Sequence, residues 1–106
     1  MTLEIYVDAL MPTQRSRRWP FDASCHCFHR HHNLEALERF VLGIGCQIHW
    51  LDHTPGFPHF DLTPGMRIKA VRAGAIEITR HHLVMREMFI KRREILKAIA
   101  VANENP

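Results

Sequence analysis

The stretch HTPGFPHFDLTPGMRIKAVRAGAIEIT, residues 53–79, decides how this chain is read. Its first ten residues carry two prolines and Gly56, so they read as a loop. Thr63 and Pro64 then read as an N-cap followed by proline at the first helical position, where its missing N–H is no loss. Met66, Ala70 and Ala73 form an apolar stripe at helical spacing, and Gly74 ends it. AIEIT, residues 75–79, alternates β-branched residues and reads as a strand. A loop, a helix and a strand in that order are the second half of a strand–helix–strand unit, and they set the expectation for the rest.

Upstream the same alternation recurs. LEIYVDAL, residues 3–10, places Leu3, Ile5 and Val7 two apart and reads as a strand ending at Asp8. MPTQRSRRWPFDASC, residues 11–25, is polar and basic without a helical period, and reads as a long loop. CHCFHR, residues 25–30, reads as a short extended piece. Asn33 is a good N-cap for a helix that carries Leu34, Leu37, Val41 and Ile44 on one face. Glu35 and Glu38 sit near its positive end, and Gly43 and Gly45 stop it. CQIHWLD, residues 46–52, reads as a second strand. A long C-terminal helix is expected over 81–102, with Val84, Met88, Ile95 and Ile99 on one face.

Strands and helices therefore alternate three times. That order predicts one α/β domain over residues 1–106, in two or three layers, around a short, mainly parallel sheet. Three strands make a small sheet, so extra edge strands within residues 9–30, or dimerisation, are expected to complete it. With 106 residues, 46% hydrophobic and 24% charged, the chain can bury one core and has no room for a second domain.

A net charge of +3 suits an anionic partner and is also common in proteins that bind none. The three cysteines are an odd number, and MTLEIYVDAL has neither a basic leader nor a long apolar run. No stretch approaches the roughly 18 apolar residues of a membrane span. Free thiols, a cytoplasmic location and no membrane partner are the resulting expectations.

The chemistry is expected at the carboxyl ends of the strands, where open parallel sheets collect ligands. Asp8 ends the first strand; His59 and Asp61 follow the second. A His and an Asp two apart in an extended segment project to the same side. With Asp8 they could hold a divalent metal, since neutral imidazole and carboxylate are both good ligands. They could instead act as a base and its orienting partner. The blander alternative is that Asp61 caps the next helix while His59 packs on Pro58.

Arg67, with the free N–H groups of its helix start, could receive a phosphate, while Lys69 reads as a surface residue. Cys25-x-Cys27 lacks the spacing of paired zinc thiolates. Extended geometry puts those cysteines on one face and His26 with Phe28 on the other, so His26 would face a site. His29, His31 and His32 read as solvent-facing. Arg15, Arg17 and Arg18 beside Trp19 suit single-stranded nucleic acid or a phosphorylated ligand. Equally, Trp19 and Phe21 could anchor that loop to the core. No phosphate-cradling glycine motif and no nucleophile elbow is present.

Taken in order, YVD, WP, SCHCF, LEALERF, Trp50, PHFDLT and GAIEIT resemble the bacterial and phage domain-of-unknown-function family 4031 over residues 4–86. The resemblance implies a residue pattern and not an activity: Asp8, Trp19, His26, Trp50, His59, Asp61 and Arg67. Cys27 stands where that pattern suggests an aliphatic residue. The terminal helix is longer than the pattern suggests and would serve as a dimer surface or a partner-binding arm.

The expected function is that of an enzyme-like domain acting on a phosphate-bearing substrate, nucleotide or nucleic acid, by metal-assisted or acid–base hydrolysis. Asp8, His59 and Asp61 would be catalytic or metal-ligating. His26 would assist, Arg67 would take the anion, and Trp19 and Trp50 would contact substrate. The alternative is a non-catalytic phage or mobile-element accessory module that docks on a host protein or nucleic acid, with a homodimer through the C-terminal helix as a further expectation.

Overall fold

In the computed structural model, which describes residues 3–104, ten elements follow one another. They are β1 (Ile5–Val7), β2 (Met11–Pro12), β3 (Ala23–His29), α1 (Leu34–Gly43), a 3-10 turn (Ile48–Trp50), β4 (Leu51–Asp52), β5 (His59–Leu62), α2 (Pro64–Arg72), β6 (Ile76–Glu77) and α3 (Leu83–Glu104). The expected loop before the second helix thus contains a strand. HFDL alternates: Phe60 and Leu62 are fully buried, while His59 and Asp61 take the other face. Pro58 stands just ahead of the strand, where a missing N–H is tolerated.

That strand changes the sheet. Its order is β4-β5-β3-β1-β6, with β2 also paired to β3. Among the described residues only β1 and β6 are parallel neighbours; β3 runs antiparallel to β1, β2 and β5, and β4 antiparallel to β5. The fold is α/β, but its sheet is mixed and mostly antiparallel, which corrects the mainly parallel expectation. The cause is interleaving. The α1 connection joins β3 to β4, and the α2 connection joins β5 to β6; each links strands pointing the same way. Yet β5 lies between β3 and β4, and β3 and β1 lie between β5 and β6. Parallel connections therefore produce antiparallel neighbours.

Two further readings change. Of CQIHWLD, only Leu51 and Asp52 are strand; Ile48–Trp50 is a 3-10 turn. CHCFH of the short extended piece belongs to a seven-residue strand at the middle of the sheet, and residues 9–30 also supply the two-residue β2. Both helix starts match expectation. Asn33 Oδ1 accepts from Ala36 N at 3.1 Å, and Thr63 Oγ1 accepts from Met66 N at 3.1 Å.

Period-2 alternation divides the core into two. Ile5, Val7, Cys25, Cys27, Phe60 and Leu62 pack under α1 and α2 with Leu37 and Val41. Tyr6 and Phe28 face the other way, onto Val84, Met85 and Met88 of α3. The result is three layers, with the sheet between α1 and α2 on one side and α3 on the other. Arg30 pairs with Glu87 through two bonds of 2.9 and 3.1 Å, fastening the end of β3 to α3. Gly56 (φ +86°) brings the loop before β5 onto α3; a Cβ there would lie 3.1 Å from the Arg92 Cα. Farther along α3, Leu96, Ile99 and Val101 are 40–50% exposed. Among the described residues, no helix is long and apolar enough to cross a membrane.

Candidate functional site

The α3-facing side of the sheet is apolar at one end and polar at the other, and register produces the polar end. His26 lies opposite Asp61, and Asp52 lies opposite His59. Directly opposed residues share a face, as do residues two apart on one strand. Four polar side chains are thereby gathered on one patch. Asp8 joins them from the end of β1, its backbone N–H donating to the His26 carbonyl at 3.2 Å.

Asp8 is only 4% exposed. One carboxylate oxygen accepts the His26 backbone N–H at 2.6 Å, and the other lies 2.6 Å from His26 Nδ1. An ionised carboxylate only accepts, so Nδ1 carries the shared hydrogen and Nε2 is left for other chemistry. The Asp8 carbonyl accepts from Arg67 Nε at 2.8 Å, and Arg67 also donates to Glu77 at 2.8 Å. Arg67 thus ties α2 to the ends of β1 and β6, and it lines neither of the pockets described below.

His59 is held in the same manner. Its Nδ1 donates to the Phe57 carbonyl at 2.7 Å. Its Nε2 lies 3.5 Å from Asp61 Oδ1 and 3.8 Å from Asp52 Oδ2. Burial pulls its pKa down, but the Asp61 and Phe57 hydrogen bonds, with the charges of Asp61 and Asp52, outweigh burial and hold it above the usual histidine value. Asp52 is held below the usual carboxylate range by two hydrogen bonds from Thr54, from its hydroxyl and its backbone N–H. The His26 and His59 rings meet edge to face, 4.9 Å between centroids, with Phe57 against both.

Potential ligand atoms of His26, His59 and Asp61 lie within 4.8 Å of one another. Metal-binding histidines are oriented by donating the other ring N–H to a carboxylate or a backbone carbonyl, and both histidines here do so. Two recesses adjoin the cluster. One, of about 400 Å³, is lined by Asp8, His26, His59 and Asp52, with Met85 and Phe89 of α3 as a wall. The other, of about 850 Å³, is lined by Asp52, Asp61, Trp19, Trp50, Arg17 and Arg18 among others. Trp19 and Trp50 meet edge to face at 5.9 Å.

Of the residues singled out by sequence, His26, His59 and Asp61 form the cluster and Asp8 supports it from behind His26. Trp19 and Trp50 lie together in the recess that Asp52 and Asp61 also line. Asp52 did not enter the sequence-derived set; its only signal was its position at the end of a strand. His29 is buried rather than solvent-facing: it is 8% exposed, and its Nδ1 accepts the backbone N–H groups of His31 and Asn33 at 3.0 and 3.3 Å. Cys25, Cys27 and Cys46 are free and buried. Burial pushes the Cys25 thiol up to about 12 and that of Cys46 to about 11, and raises Cys27 further.

Comparison with curated proteins and with solved structures gave no match. The model of one family does match, over residues 5–89. The chain therefore belongs to the family described as "Protein of unknown function (DUF4031)".

Proposed function

We propose that this chain is a hydrolytic domain that binds a divalent cation through His26 Nε2, His59 Nε2 and Asp61 and acts on a phosphate-bearing substrate, a nucleotide or nucleic acid. One observation carries the reading. Two imidazoles, each fixed through Nδ1 by an oxygen acceptor, stand with a carboxylate inside 4.8 Å. Fixing both rings before the ligand arrives lowers the cost of ordering them.

A bound cation supplies Lewis acidity toward a phosphoryl oxygen and an attacking water. The chain's own groups do the rest. Asp8 orients His26, Phe57 orients His59, and Asp52 stands ionised beside the cluster. Water forms a bond to phosphorus and gives one proton to Asp52; the ester P–O bond breaks, and the departing oxygen takes a proton back. Arg17 and Arg18, which form no ion pair among the described residues, supply positive charge across the larger cleft.

Calorimetric titration with Mn²⁺ or Zn²⁺ tests this reading. Wild type should bind one ion, and Asp61→Asn and His59→Ala should lose it. Asp61 is half-exposed, so Asp61→Asn should keep the wild-type melting temperature. A wild-type protein that binds neither ion defeats the proposal. The same free arginines favour a second reading, a non-catalytic module that holds nucleic acid. It wins if charge reversal at Arg17 and Arg18 abolishes nucleic-acid binding while the His59 and Asp61 variants behave as wild type.

A further inference from the structure

The larger cleft has its own chemistry, distinct from the cluster that borders it. Residues 13–22 form an arm rather than a slack loop. Thr13 N donates to Asp22 O at 2.8 Å, and Ser16 N to Trp19 O at 2.9 Å. Arg15 pairs with Asp22 through two bonds, which removes it from the cleft. Arg17 and Arg18 are left at the tip of the turn that Ser16 and Trp19 close. Trp19 is pinned through its ring N–H to the Ala23 carbonyl at 3.4 Å, and both indoles stay half-buried at the cleft wall.

The lining of the recess thus combines cationic Arg17 and Arg18, acidic Asp52 and Asp61, and the indoles of Trp19 and Trp50. A volume of about 850 Å³ falls within the roughly 300–1,000 Å³ of small-ligand sites. A planar aromatic body with an attached phosphate matches the indoles and the arginines. Aromatic walls take any base by its π face, which requires that base to be unpaired.

We infer that this cleft receives an unpaired nucleotide, its base against Trp19 and Trp50 and its phosphate between Arg17, Arg18 and the His26–His59–Asp61 cluster. The inference deepens the hydrolytic reading and rests on it for the fate of the phosphate. Paired bases have no free face to offer, so duplex is excluded as the ligand. Inorganic phosphate alone would make no use of the indole rings at the cleft wall.

The test is a titration of the full chain with a short fluorescein-labelled oligothymidylate, in chelator and low salt, followed by anisotropy and by tryptophan quenching. Chelator removes divalent cation, so a failure of the metal reading leaves this experiment unaffected, and the reverse also holds. Saturable binding with quenching is expected. Trp19→Ala should weaken it by about tenfold or more, Trp19→Phe should retain it, and joint Arg17→Glu and Arg18→Glu should abolish it. Thymidine 5′-monophosphate that competes as well as the strand identifies free nucleotide as the source; much weaker competition identifies single-stranded nucleic acid. Three outcomes overturn the inference: no saturable binding, equal competition by inorganic polyphosphate, or equal binding of duplex.

Discussion

The Asp8 carboxylate holds His26 at two points, 2.6 Å from its backbone nitrogen and 2.6 Å from ring Nδ1. One acidic side chain therefore fixes both a strand position and an imidazole tautomer. Asp8→Ala should cost about 1–3 kcal/mol in urea unfolding, because it removes the acceptor of a largely buried N–H. Asp8→Asn keeps an acceptor for the backbone and loses the charge behind the ring. Its stability should fall less, while Mn²⁺ affinity drops about 10–100-fold. Wild-type affinity in Asp8→Asn would remove Asp8 from the support of the site.

A pH effect follows from His29. Burial, and then the charge of His31, hold its pKa below the ordinary 6.5. The unfolded chain therefore takes up the proton first as pH falls. The contribution of His29 is fully present above 6.5 and is lost as pH drops toward the lowered folded value. His32, shifted down by burial, acts in the same direction. His29→Asn places an amide oxygen near the Nδ1 position and should flatten the acid-side slope. Urea unfolding at several pH values across this window would check it; an unchanged slope would count against His29 as the source.

The three thiols should be inert. Cys25, Cys27 and Cys46 are at most 5% exposed, and burial keeps them protonated well beyond neutrality. A disulfide-exchange reagent at neutral pH should label none of them rapidly in the native protein and all three in denaturant. A fast native thiol would contradict the packing under α1 and α2.

The two halves of α3 should respond differently to charge. Met88 is 1% exposed and faces Phe28 and Tyr6; Ile99 is 40% exposed. Met88→Asp buries an unpaired carboxylate and should unfold the chain or lower its melting temperature sharply. Ile99→Asp should change stability by no more than about 0.5 kcal/mol. Thermal melts of the two variants decide it.

Helices were easy to read in this chain because their caps are local. Asn33 and Thr63 announce their helix starts within three residues, and the acceptor each provides is visible in the sequence itself. Strand order was not readable, because the pairing of β3 with β5 is settled by Phe60 and Leu62 entering a core that Cys25 and Cys27 already occupy. Those contacts are distant in sequence, and the prolines beside HFDL argued for a loop. His59 and Asp61 were singled out as a pair two apart in an extended loop segment at the carboxyl rim of a parallel sheet; the structure instead places them on β5, on one face of a mostly antiparallel sheet. The face of His26 was found from the alternation of CHCFH. That His26, rather than Asp8, would stand beside them depended on register, and no single strand contains that information.

The pairing of His26 with Asp61 carries a last consequence for how faithfully this sheet must assemble. Sliding β5 by one residue along β3 would turn Asp61 inward among the cysteines and push Phe60 out to solvent. The same slip would dissolve the histidine–carboxylate cluster. Misassembly thus incurs a solvation penalty at the moment it destroys the constellation, so every chain that folds stably also carries its polar cluster intact.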